Sequence, residues 1–142
     1  MNTTLLRCAI ALTVSAASIS ASYAQAYPNA PINMIIPYPP AGATDKIGRL
    51  LALGMSKKLG QNIIVDNKPG AGGTIGTDLV AKSAPDGYTI VLGAAGAIAI
   101  NQSLMGSLPY DPQKDLAPIS LLATIPIVLA VNPATAAGSV RE

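Results

Sequence analysis

The side chains that most often carry out chemistry are scarce in this chain. Its 142 residues include no His, one Cys (Cys8) and seven acidic residues. Without His, and with Cys8 close to the N-terminus, the usual zinc sites, a Cys–His nucleophile pair and a Ser–His–Asp triad are excluded. Asp45, Asp66, Asp78, Asp86, Asp111 and Asp115 are scattered singly, so no carboxylate pair stands at a spacing diagnostic of acid/base catalysis. What remains is the chemistry of the backbone. Gly70-Ala71-Gly72-Gly73-Thr74-Ile75-Gly76 sets residues with small side chains directly before a helix. There, N–H groups can close on a ligand and the helix dipole favours negative charge. Such a segment can seat a carboxylate or a phosphate, and it reads equally well as tight left-handed turns between a strand and a helix. The dinucleotide fingerprint G-x-G-x-x-G fails because Ile75 stands where the third Gly belongs, and a phosphate-binding P-loop fails for want of Gly-Lys-Ser/Thr. Asp45 can contact an amino or hydroxyl group of a ligand, although stabilisation of a helix dipole explains its first-turn position as well. Of the five Tyr, only Tyr38 falls in a candidate cleft loop, where a phenol can cover a small ligand.

These residues need a scaffold, and the apolar pattern supplies one. Half of the chain is apolar and 11% is charged, which excludes a disordered chain and leaves room for one ordinary domain. Nine basic against seven acidic side chains make too weak a field for a nucleic-acid partner. Ile32 to Ile36, between Pro31 and Pro37, predicts a largely buried strand. The loop Pro37-Tyr38-Pro39-Pro40-Ala41-Gly42-Ala43 follows, and Thr44 is placed to cap a helix. In that helix Ile47, Leu50, Leu51, Met55 and Leu59 form a buried stripe that Gly60 ends. Ile63 to Val65 predicts a second strand, and Asn67-Lys68-Pro69-Gly70-Ala71-Gly72-Gly73 leads to a helix over 74–83 that buries Ile75, Leu79 and Val80. Tyr88 to Leu92 predicts a third strand, Gly93-Ala94-Ala95-Gly96 a third loop, and Ala97 to Leu104 a short helix. The apolar stretch Ile119 to Val131 predicts a strand, or two with a hinge at Pro126. Alternating strands and helices imply an α/β fold with a mostly parallel sheet and helices on both faces. All three loops then follow carboxyl ends of strands, the edge at which open α/β sheets bind ligands.

The N-terminus reads as an address. Met1 to Arg7 carries one basic side chain, Cys8 to Ile19 is a short run of small and apolar residues, and Ala24-Gln25-Ala26 offers small residues to a signal peptidase. The expected cut follows Ala26, with Ala24 as the near alternative, and the apolar run is too short to span a bilayer. The mature chain then has no Cys, which suits a bacterial cell envelope better than a small disulfide-stapled secreted domain.

A series of segments, in order and in register, carries a family resemblance. They are Tyr27-Pro28, Ile36-Pro37-Tyr38-Pro39-Pro40-Ala41-Gly42-Ala43-Thr44-Asp45, Leu59-Gly60-Gln61 and Val65-Asp66-Asn67-Lys68-Pro69-Gly70-Ala71-Gly72-Gly73-Thr74-Ile75-Gly76. Ala84-Pro85-Asp86-Gly87-Tyr88-Thr89, Leu108-Pro109-Tyr110-Asp111-Pro112 and Asp115-Leu116-Ala117-Pro118 continue it. Together they resemble the substrate-binding proteins of tripartite tricarboxylate transporters, the Bug family. The resemblance implies a two-lobed fold of the periplasmic-binding-protein type II kind that closes on a small organic acid and hands it to a membrane permease. It implies a monomer that uses no cofactor and no metal and is not an enzyme. Ligand contacts are expected from Tyr38, Pro39, Pro40, Ala41, Gly42, Ala43 and Asp45, from Gly70, Ala71, Gly72, Gly73 and Thr74, and from Ala94 and Ala95. The third loop departs from the family pattern, with Ala97-Ile98 where relatives commonly carry Thr-His before Ala-Ile-Asn. The expected division is a signal peptide over 1–26, a partial, incomplete first lobe over 27–122 and a crossover into a second lobe over 123–142, about the first two-fifths of a receptor. The competing expectations are a truncated product without ligand binding and, remotely, an envelope hydrolase.

Overall fold

The structure, a computed structural model, describes residues 26–126, 128–135 and 139. The signal segment, apart from Ala26, lies outside these residues. Strand β1 (Ile32–Ile36) is flanked by β2 (Ile63–Asn67) and β3 (Thr89–Val91), and both pair with it in parallel in the order β2-β1-β3. The registers run from Ile32 opposite Ile63 to Ile36 opposite Asn67, and from Asn33 opposite Thr89 to Ile35 opposite Val91. As the central strand, β1 is covered on both faces. Ile32, Met34 and Ile36 are at most 1% exposed, and Ile35, pointing the other way, is buried too. Complete burial of side chains this size is worth roughly 1.5–3 kcal/mol each, so β1 anchors the domain.

The two crossover helices pack by close backbone approach. Helix α1 (Ala43–Leu59) turns Asp45, Gly48 and Ala52 to the sheet. A Cβ on Gly48 would stand 2.5 Å from Ile36 Cδ1 and 2.9 Å from Leu92 Cδ2. Helix α2 (Thr74–Ala81) buries Thr74, Gly76 and Thr77, and Gly76 abuts Pro37, whose neighbour Ile36 faces α1. Successive strand residues alternate sides, so α1 and α2 cover opposite faces, as the sequence predicts.

The faces differ in part from expectation: Ile47, Leu51, Met55 and Val80 of the expected stripes are half-buried, but other members are not. Leu50 is 73% exposed and Leu53 64%, while Ile75 and Leu79 of α2 also face outward. Large apolar residues at helical spacing suggest the core stripe, but a helix lying this close to a strand admits only Gly, Ala and small polar residues at its contact line. The start of α1 also differs. Gly42 is the N-cap and no side chain caps it, so Thr44 lies inside the first turn. Gly60 ends the helix in a left-handed conformation (φ +68), with its N–H on the Ser56 carbonyl at 3.0 Å, as its position predicts.

After β3 the chain enters a π-helical turn (Gly96–Ile100) that runs into α3 (Asn101–Leu104), where a short helix is expected. The strand expected over 119–131 is absent among the described residues, and Ile127 lies outside them. Ile119, Leu121, Val128 and Leu129 are all more than three-quarters exposed. Strand formation requires a backbone partner, and β2 and β3, the outer strands of the described sheet, pair only with β1.

Candidate functional site

The three loops expected to meet do meet, at the carboxyl ends of the strands. The first leaves β1 at Pro37, the second leaves β2 at Lys68 and the third leaves β3 at Leu92. Backbone bonds continue the ladders into them: Lys68 N–H to the Ile36 carbonyl and Leu92 N–H to the Ile35 carbonyl, both 2.9 Å.

Asn67, the last residue of β2, ties the second loop to the first. Its Nδ2 donates to the Tyr38 carbonyl at 3.1 Å and to Asp45 Oδ1 at 3.0 Å, and its Oδ1 accepts from Arg49 Nη2 at 3.0 Å. Arg49 Nε donates to both oxygens of Asp45 at 3.0 and 3.1 Å, and the Ala41 N–H donates to Asp45 Oδ2 at 2.9 Å. The Arg49 guanidinium, then the Ala41 N–H and the Asn67 amide, hold the Asp45 carboxyl down to about 2. Asp45 is therefore an ionised internal brace, 4% exposed, that folds the proline loop back onto the start of α1. It holds Ala41 at φ +67, a conformation that costs a non-glycine residue energy.

Tyr38 ties the first loop to the other two. A Cβ on Gly73 would lie 2.9 Å from the Tyr38 hydroxyl and 3.2 Å from Ala97 Cβ. The backbone amides of Ala94 and Ala97 also approach that hydroxyl, and burial, the stronger influence, raises its pKa. The phenol thus stays neutral and is wedged between the second and third loops. Gly73, at φ +94, is required twice over, by its left-handed backbone and by the ring beside it.

Asn101 closes the cluster. Its Nδ2 donates to the Gly72 carbonyl at 3.3 Å and to Thr74 Oγ1 at 3.2 Å, and Thr77 Oγ1 donates to the Gly73 carbonyl at 2.8 Å. From below, the Tyr110 hydroxyl donates to the Ala97 carbonyl at 2.7 Å. Asn101→Ala is expected to lower stability by about 1–2 kcal/mol, because the buried Thr74 hydroxyl loses its donor. Thermal melts check the size of the loss. Amide hydrogen exchange should show it concentrated at Gly72 to Thr74.

The positions singled out in the sequence divide into two kinds. Pro39, Pro40, Ala41, Gly42, Ala43, Ala71, Gly72, Ala94 and Ala95 are exposed along the rim, with Tyr38 and Gly70 partly covered. Gly73, Thr74 and Asp45 are buried, and the side chains of Asp45 and Thr74 are engaged within the protein. Donors remain on the backbone. The first helical bond of α1 runs from the Lys46 N–H to the Gly42 carbonyl at 3.1 Å, so the amides of Ala43, Thr44 and Asp45 have no acceptor in the helix. In the second loop the Gly73 N–H is taken by the Gly70 carbonyl at 2.9 Å, and the amides of Ala71 and Gly72 precede that bond. The rim segments 38–43, 70–74 and 94–96 carry no charged side chain.

Arg49, Asn67 and Asn101 were not singled out in the sequence. Arg49 was detectable from its i,i+4 spacing to Asp45, and Asn101 as the polar residue that breaks the apolar run from Ala97. Two depressions lie elsewhere, one of about 450 Å³ around Gln102 and residues 106–111, the other of about 300 Å³ between α1 and β2, and neither includes a rim residue. Among the described residues no cluster of three His, Cys, Asp or Glu could hold a metal, and no helix is long and apolar enough to cross a membrane.

With this geometry in place, comparison with known proteins is decisive. The profile of the tripartite tricarboxylate transporter family receptor, TctC, matches residues 47–142. This chain belongs to that receptor family. The family resemblance read from the loop motifs is thereby confirmed. Protein BugT of Bordetella pertussis is 47% identical over 135 residues, which cover 94% of this chain and 41% of BugT. A UPF0065 protein from the tcbD-tcbE intergenic region of Pseudomonas sp. strain P51 is 41% identical over 122 residues, 86% of this chain and 36% of that protein. This member of the TctC family thus spans about two-fifths of the length of the curated relatives it matches. Among solved structures, MatC from Rhodopseudomonas palustris with bound malate superposes with a TM-score of 0.65 at 38% identity, covering 68% of this chain and 33% of MatC. An R. palustris protein with adipate superposes with a TM-score of 0.59 at 34% identity, covering 61% of this chain and 29% of that one. A further structure, described as a periplasmic transporter, superposes with a TM-score of 0.60 at 45% identity, covering 61% of this chain and 29% of it. The α/β periplasmic-binding-protein fold expected from the sequence is the fold of these TctC-type neighbours.

Proposed function

We propose that this chain forms one wall of an extracytoplasmic receptor that takes up a small organic carboxylate and delivers it to the permease of a tripartite tricarboxylate-type transporter. The observation that carries this reading is the rim itself. Three glycine- and proline-rich loops are braced from behind by Asp45, Asn67, Tyr38 and Asn101, leaving the first-turn amides of α1 and the amides of Ala71 and Gly72 as donors. Fixed N–H groups make charge-assisted bonds to a carboxylate without any cationic side chain. The ligands named for MatC and the adipate-bound neighbour, malate and adipate, are both carboxylates. On this reading the protein works in the periplasm as a monomeric binding protein, without cofactor or catalysis. Residues 27–122 form part of its first lobe, and 123–142 begin the crossover to a second.

The test is an amide-resolved NMR titration of the chain with succinate, and with succinamide as the uncharged control. One wall supplies only part of the contacts, so binding is expected at about 1 mM or weaker. Succinate should move the amide signals of Gly42, Ala43, Ala71 and Gly72, and succinamide should not. If succinate at tens of millimolar leaves all four unmoved, the receptor reading is wrong.

A further inference from the structure

Two isoleucines occupy equivalent places in successive strand-loop-helix units. Ile75 lies five residues after Gly70, and its Cδ1 sits against the space a Gly70 side chain would fill. Ile98 lies five residues after Gly93, with its Cδ1 2.5 Å from where a Gly93 Cβ would stand. Each folds back over the first glycine of its loop. Each nevertheless keeps a large exposed surface, 56% for Ile75 and 40% for Ile98. The methyl groups of Ala71, Ala94 and Ala95 are exposed on the same two loops.

The polar side chains nearby are turned inward or already paired. Thr74 Oγ1 accepts from Asn101, Thr77 Oγ1 donates to the Gly73 carbonyl, and the Tyr38 hydroxyl lies against Gly73 and Ala97. Asp45 is bound by Arg49 and Asn67, and Asp66 pairs with Lys68 at 3.1 Å. Apart from backbone groups and the surface-exposed Lys68, whose ammonium is paired with Asp66, the second and third loops therefore offer a ligand only apolar surface.

We infer that the acid taken by this site has an unsubstituted hydrocarbon body, as opposed to a hydroxylated one. This rests on the carboxylate reading above and narrows its substrate class. The carboxylate end is met by backbone N–H groups, and the body lies against Ile75, Ile98 and the loop alanines. A hydroxyl on that body would give up water without gaining a side-chain partner, which is unfavourable.

The experiment uses two pairs of acids that differ by one hydroxyl: succinate with malate, and glutarate with 2-hydroxyglutarate. Each is titrated into the chain and followed through the amide signals of Gly42, Ala71 and Gly72. The unsubstituted member of each pair should bind about tenfold tighter. Equal or tighter binding of the hydroxylated members overturns the inference and leaves the carboxylate reading standing. If no acid moves these signals, both fall. Ile98→Thr supplies a hydroxyl at the third loop and should bring the malate and succinate affinities closer together. An unchanged ratio removes Ile98 from the assignment.

Discussion

Replacing Gly76 with Ala is expected to lower the melting temperature by roughly 10 °C, the largest loss anticipated from adding a single methyl group. The added Cβ would stand 2.7 Å from the Lys68 carbonyl oxygen, 2.8 Å from Pro37 Cβ and 2.9 Å from Pro37 Cα. None of these atoms belongs to a flexible side chain that can swing away. Pro37 is fully buried in a rigid ring, and the Lys68 backbone is bonded to the Ile36 carbonyl at 2.9 Å. Helix α2 would have to lift from the sheet, taking the Gly-Ala-Gly-Gly loop with it. Overpacking of this kind costs about 1–3 kcal/mol, a large share of the stability of a small domain. Gly54 of α1 is the internal control. A Cβ there meets nothing within 4 Å, so Gly54→Ala should raise stability by about 0.5–1 kcal/mol through helix propensity alone. Melts followed by circular dichroism compare the two. If Gly76→Ala melts with the parent protein, α2 does not dock as described.

The same contact explains why the element order was legible in the sequence while the buried faces were not. Strands and helices follow from local patterns: a mostly apolar run at 32–36, a β-branched run at 63–65, Gly60 at a helix end, and Pro-Gly-rich loops between them. Those patterns act within a few residues and hold regardless of packing. Which side of a helix is buried depends instead on how near the neighbouring strand lies. Here α1 and α2 approach so closely that Gly48, Ala52, Gly76 and Thr77 form the contact, and Leu50, Ile75 and Leu79 are left outside. A reading based on side-chain size therefore misplaces the centre of the buried face, although Ile47, Leu51, Met55 and Val80 at its edge are half-buried. Site legibility divides in the same way. The rim loops announce themselves through Gly and Pro, whose conformational properties are local. The braces behind them do not, because Asn67 and Asn101 act across 29 residues each, on Tyr38 and Gly72. The 119–131 segment failed for a related reason. Its composition is that of a strand, but a strand exists only with a partner.

Asp45→Asn is expected to loosen the proline loop and to flatten the protein's acid response. Arg49, the Ala41 N–H and Asn67 favour the ionised carboxylate, so its pKa in the folded protein falls to about 2 from the usual 3.8. Because the folded value is the lower one, the ionised group stabilises the native state. Its contribution is complete above the ordinary carboxylate range and is lost as pH falls through 4 towards 2. The parent protein should therefore lose melting temperature across that window more steeply than Asp45→Asn. At neutral pH the substituted amide keeps one oxygen as an acceptor, but its NH₂ group faces donors on Arg49 and Asn67. The bifurcated, charge-assisted bond from Arg49 Nε is broken, and the Ala41 N–H loses a charged acceptor. Ala41 then has less to hold it in its left-handed conformation, and the first-turn amides of α1 lose their fixed direction. Carboxylate affinity should fall by about tenfold or more, because donors must be in place before the anion arrives. Arg49→Lys separates charge from geometry. It keeps a cation near Asp45 but cannot bridge Asp45 and Asn67 with a planar fork, so an intermediate loss is expected. Melting curves at half-unit steps from pH 2 to 5, with the succinate titration repeated at pH 7, decide the matter. Parallel acid profiles for the parent and Asp45→Asn would show that Asp45 does not brace the loop.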